Sequence, residues 1–191
     1  MIVTHHSFSG EADKLAMLDL VRAYPAGNLH IADLPYRLSS WAFDYPENVG
    51  LWVNDQDQLV AWAVLQTPFW TIDYAFHSAA RDLNPLFLAW ADQRARKVCS
   101  TPAGRPAWFT NVFVDPTEHI HNLVAIGFSS QSDVGEDSWT KVYMRYDKQP
   151  TGGDAVLMPD FTIRTLNGES DVPAYVELQR AVFESENMTV A

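Results

Sequence analysis

The chain has a single cysteine, Cys99, in 191 residues. That excludes an intramolecular disulfide framework and suits a reducing compartment. Positive charge is also scarce: 13 Lys and Arg stand against 24 Asp and Glu, a formal net charge of −11. Nucleic acid, whose phosphates need clustered cations, is therefore not an expected partner. No apolar run approaches the roughly 20 residues that cross a bilayer. The opening Met1-Ile2-Val3-Thr4-His5-His6 lacks the basic start and long apolar stretch of a signal peptide. The expectation is a cytoplasmic protein with neither a nucleic-acid nor a membrane partner. No metal site is expected either. His5 and His6 are neighbours on a strand and face opposite sides, while His119 and His121 are two apart on a helix and diverge.

What is present is apolar mass. Hydrophobic residues make up 47% of the chain and seven are Trp, enough for one α/β domain with its own core and a remnant besides. The pattern predicts a strand over 2–8, broken by Gly10, and a helix over 11–24 with Leu15, Met17, Leu18 and Val21 at helical spacing. A second helix fits 32–43, interrupted by Pro35. Residues 49–53 and 59–66 flank the turn-forming Asn54-Asp55-Gln56-Asp57 and read as strands; Pro68 separates a third strand over 70–77. On that strand Trp70, Ile72, Tyr74 and Phe76 point one way, and Thr71, Asp73, Ala75 and His77 the other.

A helix over 85–98 follows, with Leu86, Ala89 and Trp90 expected to face the core. Residues 108–114 read as a strand. Asp115-Pro116-Thr117-Glu118 then offers an acidic N-cap, a proline at the first helical position and a glutamate three residues after the cap. That helix ends at Gly127, and 129–132 with 138–146 should form a closing hairpin. The order is β-α-α-β-β-β-α-β-α-β-β, followed by a linker over 148–158 rich in small and turn residues, a strand over 161–166 and a helix over 172–183.

The last two elements repeat the first two. Moving 161–183 back by 158 positions lays Thr162 on Thr4, Gly168 on Gly10, Glu169 on Glu11 and Asp171 on Asp13; Ala174, Leu178, Arg180 and Ala181 fall on Ala16, Leu20, Arg22 and Ala23. The shared Gly-Glu-x-Asp stands at the strand-to-helix corner in both. The expected organisation is a domain over 1–147, a linker over 148–158, and the opening strand and helix of a second, truncated domain over 159–191.

The element order, the Gly127-Phe128 pair closing a helix, and the segment from His30 to Trp41 together resemble the GNAT N-acetyltransferase superfamily. The resemblance implies an α/β (α+β) fold with a central mixed sheet and helices on both faces. It implies acyl transfer from acetyl-CoA to an amine of unknown identity. In that family acetyl-CoA lies in a splay between the fourth and fifth strands, its pyrophosphate on backbone N–H groups at the N-terminus of the third helix. Carried onto this chain, the cofactor-binding residues are Phe76, His77, Arg81, Asn84 and Leu86. Here the family's glycine-rich loop is matched by Arg81-Asp82-Leu83-Asn84-Pro85-Leu86. Asn84 and Leu86 stand where small residues are expected, Pro85 has no N–H to give, and Asp82 adds a negative charge. The family's tyrosine acid, four residues before Gly-Phe, is Leu123 here.

Asp73 and His77 are the candidate general bases, each weighed against an ordinary structural role. Tyr74 could line a substrate pocket or serve as a core aromatic. Cys99 reads as structural. The departures raise an alternative function, a non-catalytic GNAT-like binding or assembly module that supports an active partner domain. A small-molecule amine is the expected substrate of the enzyme reading. Self-packing or a homodimer through 159–191 is expected because one strand and one helix cannot bury their own faces.

Overall fold

The computed structural model of the chain describes residues 2–25, 29–113, 117–134 and 158–183. The chain divides into two compact units, residues 1–130 and 131–191. The Asp115-Pro116 cap, the strand at 138–146 and nearly all of the 148–158 linker lie outside the described residues.

The first unit contains β1 (Thr4–Ser7), α1 (Glu11–Ala23), α2 (Leu34–Leu38), β2 (Val49–Val53), β3 (Leu59–Gln66), β4 (Thr71–Phe76), α3 (Asn84–Val98) and α4 (Thr117–Ala125). The four strands form one antiparallel sheet in sequence order, with Leu51 opposite Trp62 and Ala63 opposite Tyr74. The fold is therefore α+β. Parallel character is confined, among the described residues, to an isolated bridge between Thr71 and Phe109.

Period-2 alternation puts apolar residues on both sides of the sheet. One face carries Trp52, Ala63 and Tyr74 and packs with Phe87 and Ala91 of α3 and Leu123 of α4. The other carries Leu51, Trp62 and Val64 and packs with Met17, Leu20 and Val21 of α1. Helices thus cover both faces. Trp62 Nε1 donates to the Met17 carbonyl at 3.2 Å, tying α1 to the sheet centre. Gly50 leaves room for two indoles: a Cβ there would stand 2.7 Å from Trp52 Cη2 and 2.9 Å from Trp90 Cε2. At the end of α4, Gly127 takes φ +103° and Phe128 N–H bonds the Leu123 carbonyl at 3.0 Å, so glycine closes the helix with a left-handed residue.

Several expectations need correction. The helix expected over 32–43 breaks into a 3-10 turn at Ile31–Asp33, the short α2, and another 3-10 turn at Trp41–Asp44. The core stripe of α3 is Asn84, Phe87, Leu88, Ala91, Ala95 and Val98, whereas Leu86 and Ala89 are exposed. One-residue errors of phase turn a helix by 100°, which is enough to exchange faces. On α1, Leu15 is exposed and Leu20 takes its place in the core. The strand expected at 108–114 is reduced, among its described residues, to the bridge at Phe109, and 129–132 form no strand.

In the second unit, a 3-10 turn at Gly168–Asp171 leads into α5 (Val172–Phe183). Residues 161–167 form no ladder, so the strand expected at 161–166 is absent. The repeated corner is built alike in the two units. Asp13 Oδ2 accepts the Ser9 backbone N–H at 2.6 Å, and Asp171 Oδ2 accepts that of Asn167 at 2.7 Å. The intervening glycines, Gly10 and Gly168, both have positive φ, +129° and +63°.

Candidate functional site

The residues singled out by sequence gather around β4 and its exit into α3, but on different sides. Asp73 faces α2. It is fully buried. Its Oδ2 lies 3.6 Å from Arg37 Nη1, and its Oδ1 accepts from the Thr71 hydroxyl at 3.2 Å. Arg37 also donates to Thr71 Oγ1 at 2.8 Å and lies over the Phe69 ring at 4.5 Å. Gln66 Nε2 donates to the Arg37 carbonyl at 3.1 Å and Ser40 Oγ to Gln66 Oε1 at 2.5 Å, so the ion pair sits in a buried polar network. A carboxylate so enclosed holds α2 to the sheet.

His77 leaves β4 half-buried. Its Nδ1 accepts the Ala79 N–H at 3.0 Å and its carbonyl accepts the Ala80 N–H at 2.7 Å. Tyr24 packs on its ring with centroids 4.0 Å apart. The two rings line an open cleft of about 290 Å³ whose other walls are Asn54, Gln58, Leu59, Val60 and Ala79.

Phe76, on the opposite side of the strand, is buried in the core against Phe87. Arg81 and Leu86 are exposed and Asn84 is buried.

A third group joins β4, α3 and α4. Tyr74 Oη hydrogen-bonds His119 Nε2, and Asn84 Nδ2 lies 3.1 Å from His119 Nδ1. Burial pushes the Tyr74 phenol well above its ordinary value, opposed by a hydrogen bond with Thr110. Burial also pulls the His119 imidazole below its ordinary value, helped by the charge of Arg81. A neutral ring that accepts from Asn84 at Nδ1 carries its proton on Nε2 and donates it to Tyr74. Asn84 Oδ1 then remains buried with no hydrogen-bond partner among the described residues. The sequence offers Tyr74, Asn84 and His119 separately, as an aromatic, a loop residue and a helix histidine; their meeting is set by tertiary packing.

The helix end where the resemblance puts a pyrophosphate can be tested donor by donor. A 3-10 helix at Ser78–Leu83 runs directly into α3, so the helical run begins at His77. Ala79 and Ala80 N–H are spent on His77, Asn84 N–H on the Arg81 carbonyl, and Pro85 has none. The splayed donors of an anion cradle are not offered here. At Asn84 and Pro85, within the matched loop, no free N–H is offered to an acyl-CoA diphosphate.

His5 packs edge-on against Trp52, and His6 lies 3.9 Å from Asp57. His119 is half-buried and His121 exposed. Cys99 is exposed. No helix is long and apolar enough to cross a membrane among the described residues. No protein-family model matches the chain, and no curated protein matches it.

Proposed function

We propose that the first unit is a GNAT-like domain that acts as a non-catalytic binding or assembly module. The observation that carries this reading is the start of α3, where a 3-10 helix capped by His77 leads into the loop matched to the family's, the Asn84 N–H is spent on the Arg81 carbonyl and Pro85 has none. The contact of Tyr74 and Asn84 with His119 supports it, because it ties α4 to the start of α3.

Acyl transfer from acetyl-CoA to an amine is the second reading. What favours it is the isolated parallel bridge from β4 to Phe109, in the region where the resemblance expects the fourth and fifth strands to diverge.

Calorimetric titration of acetyl-CoA into the full chain separates the two. The module reading expects no saturable heat up to millimolar ligand. Micromolar binding that Arg81→Ala weakens, together with thioester cleavage in the presence of an amine panel, would establish the enzyme reading instead.

A further inference from the structure

Trp70, at the tip of the β3–β4 hairpin, has φ +58°. That left-handed region suits glycine or asparagine and is unfavourable for a bulky side chain. The indole is 43% exposed, so core burial does not offset the strain. Phe109 N–H donates to the Trp70 carbonyl at 2.8 Å, and Ile72 N–H to the Phe109 carbonyl at 2.7 Å. Those bonds hold the two backbones side by side. The Phe109 residue is exposed as well, at 42%.

Arg105 is half-buried and lies over the Trp70 ring, its guanidinium carbon 4.8 Å from the centroid. Nη1 donates to the carbonyls of Pro102 at 3.2 Å and Gly104 at 2.9 Å, which orients the fork. Nε is buried and has no hydrogen-bond partner. Among the described residues Nη2 has none either, and no carboxylate pairs with the guanidinium. This holds although acids outnumber Lys and Arg by 24 to 13. A buried guanidinium nitrogen left unmatched is rare, and a ligand that pairs with it is one physical reason for it. The chemistry such a ligand needs can be read from the fork. Nε–H and one N–H of Nη2 lie along a single edge of the planar group and point the same way. That edge matches the two oxygens of a carboxylate. One cation in an acidic chain suits a monoanion better than a phosphate dianion. Trp70 beneath the guanidinium, and Phe109 on the adjoining segment, offer flat apolar surface to a ring.

We infer that Arg105, Trp70 and Phe109 form a binding site for a small aromatic monocarboxylate. The carboxylate takes the Nε–Nη2 edge of Arg105, and the ring lies against Trp70 and Phe109. Because Nε is shut off from solvent, the guanidinium slides across the exposed indole to present that edge. The left-handed backbone of Trp70 is then the cost of setting its ring under Arg105. The site stands at the opposite end of β4 from His77. The inference therefore does not depend on whether the first unit binds acyl-CoA.

The test is a titration of the full chain with benzoate, read in proton–nitrogen correlation spectra. The Arg105 Nε–H and Trp70 indole N–H signals should both shift saturably at millimolar benzoate. Benzamide has the ring without the charge, and acetate the charge without the ring. Each should bind about tenfold more weakly. Arg105→Gln should abolish the benzoate shift at Trp70. Trp70→Asn removes the ring and places a residue that tolerates the left-handed region. That variant should keep the parent's urea midpoint and bind benzoate about tenfold more weakly. No saturable shift with benzoate, or an unchanged one in Arg105→Gln, would overturn the inference. So would acetate or benzamide binding as tightly as benzoate.

Discussion

The His77 Nδ1 atom accepts the backbone N–H of Ala79 at 3.0 Å. A histidine at the exit of a strand is thus the cap of the helical run that follows, filling the role usually taken by Ser, Thr, Asp or Asn. His77→Ala should cost about 1 kcal/mol of stability in urea denaturation, and His77→Asn should restore most of it. Equal stability of the Ala variant and the parent would show that the ring is not the cap.

The Arg37–Asp73 pair is enclosed by α2 and the sheet. Asp73→Leu strands a buried guanidinium and should cost about 3–5 kcal/mol. The double change Arg37→Met with Asp73→Leu should recover much of that loss, because no uncompensated charge remains. Unfolding curves for the two single variants and the double variant give the coupling directly. Purely additive effects would contradict the pairing.

Gly50 makes room for Trp52 and Trp90. Gly50→Ala should destabilise by about 1–3 kcal/mol through overpacking. Trp90→Leu in the same chain should reduce that penalty, since it withdraws one of the two rings the new methyl would strike. A Gly50→Ala penalty just as large in the Trp90→Leu background as in the parent would refute the steric account.

Acid should weaken the fold through its histidines. His119 is held below its ordinary pKa by burial and by Arg81, and His5 by burial and by His6. Both titrate more readily when unfolded, so their contribution is complete above the unfolded value of about 6.5 and declines as pH falls below it. The groups facing His119 are Tyr74 and Asn84, with Arg81 as the nearby charge. Thermal midpoints measured between pH 7.5 and 5 should drop, and His119→Gln should flatten the slope in part, leaving the share due to His5. An unchanged slope in that variant would remove His119 from the account.

The local features of the fold were the legible ones. Residues 49–53 and 59–66 are strands to the residue, because their short, nearly continuous apolar runs and the Asn54–Asp57 turn act within a few positions. β4 and α1 each differ from expectation by a residue or so at their ends. What failed depends on distant partners. A strand at 108–114 needs a continuous ladder, and only Phe109 bridges β4. The helix over 32–43 is dominated by turns on either side of α2, where Arg37 is drawn to Thr71 and Asp73. Asp73 and His77 as bases rest on residue type and strand position alone. Their actual neighbours, Arg37 and Ala79, are set by tertiary packing in one case and by the path of the loop in the other.

The bond from Trp62 Nε1 to the Met17 carbonyl has an optical consequence. Trp62 is almost wholly buried, whereas Trp41 and Trp70 are exposed. Its emission is shielded from aqueous quenchers for as long as α1 remains seated. Iodide quenching in the presence and absence of Trp62→Phe therefore isolates a signal from one indole. That signal reports the departure of the first helix from the sheet, separately from unfolding of the remainder.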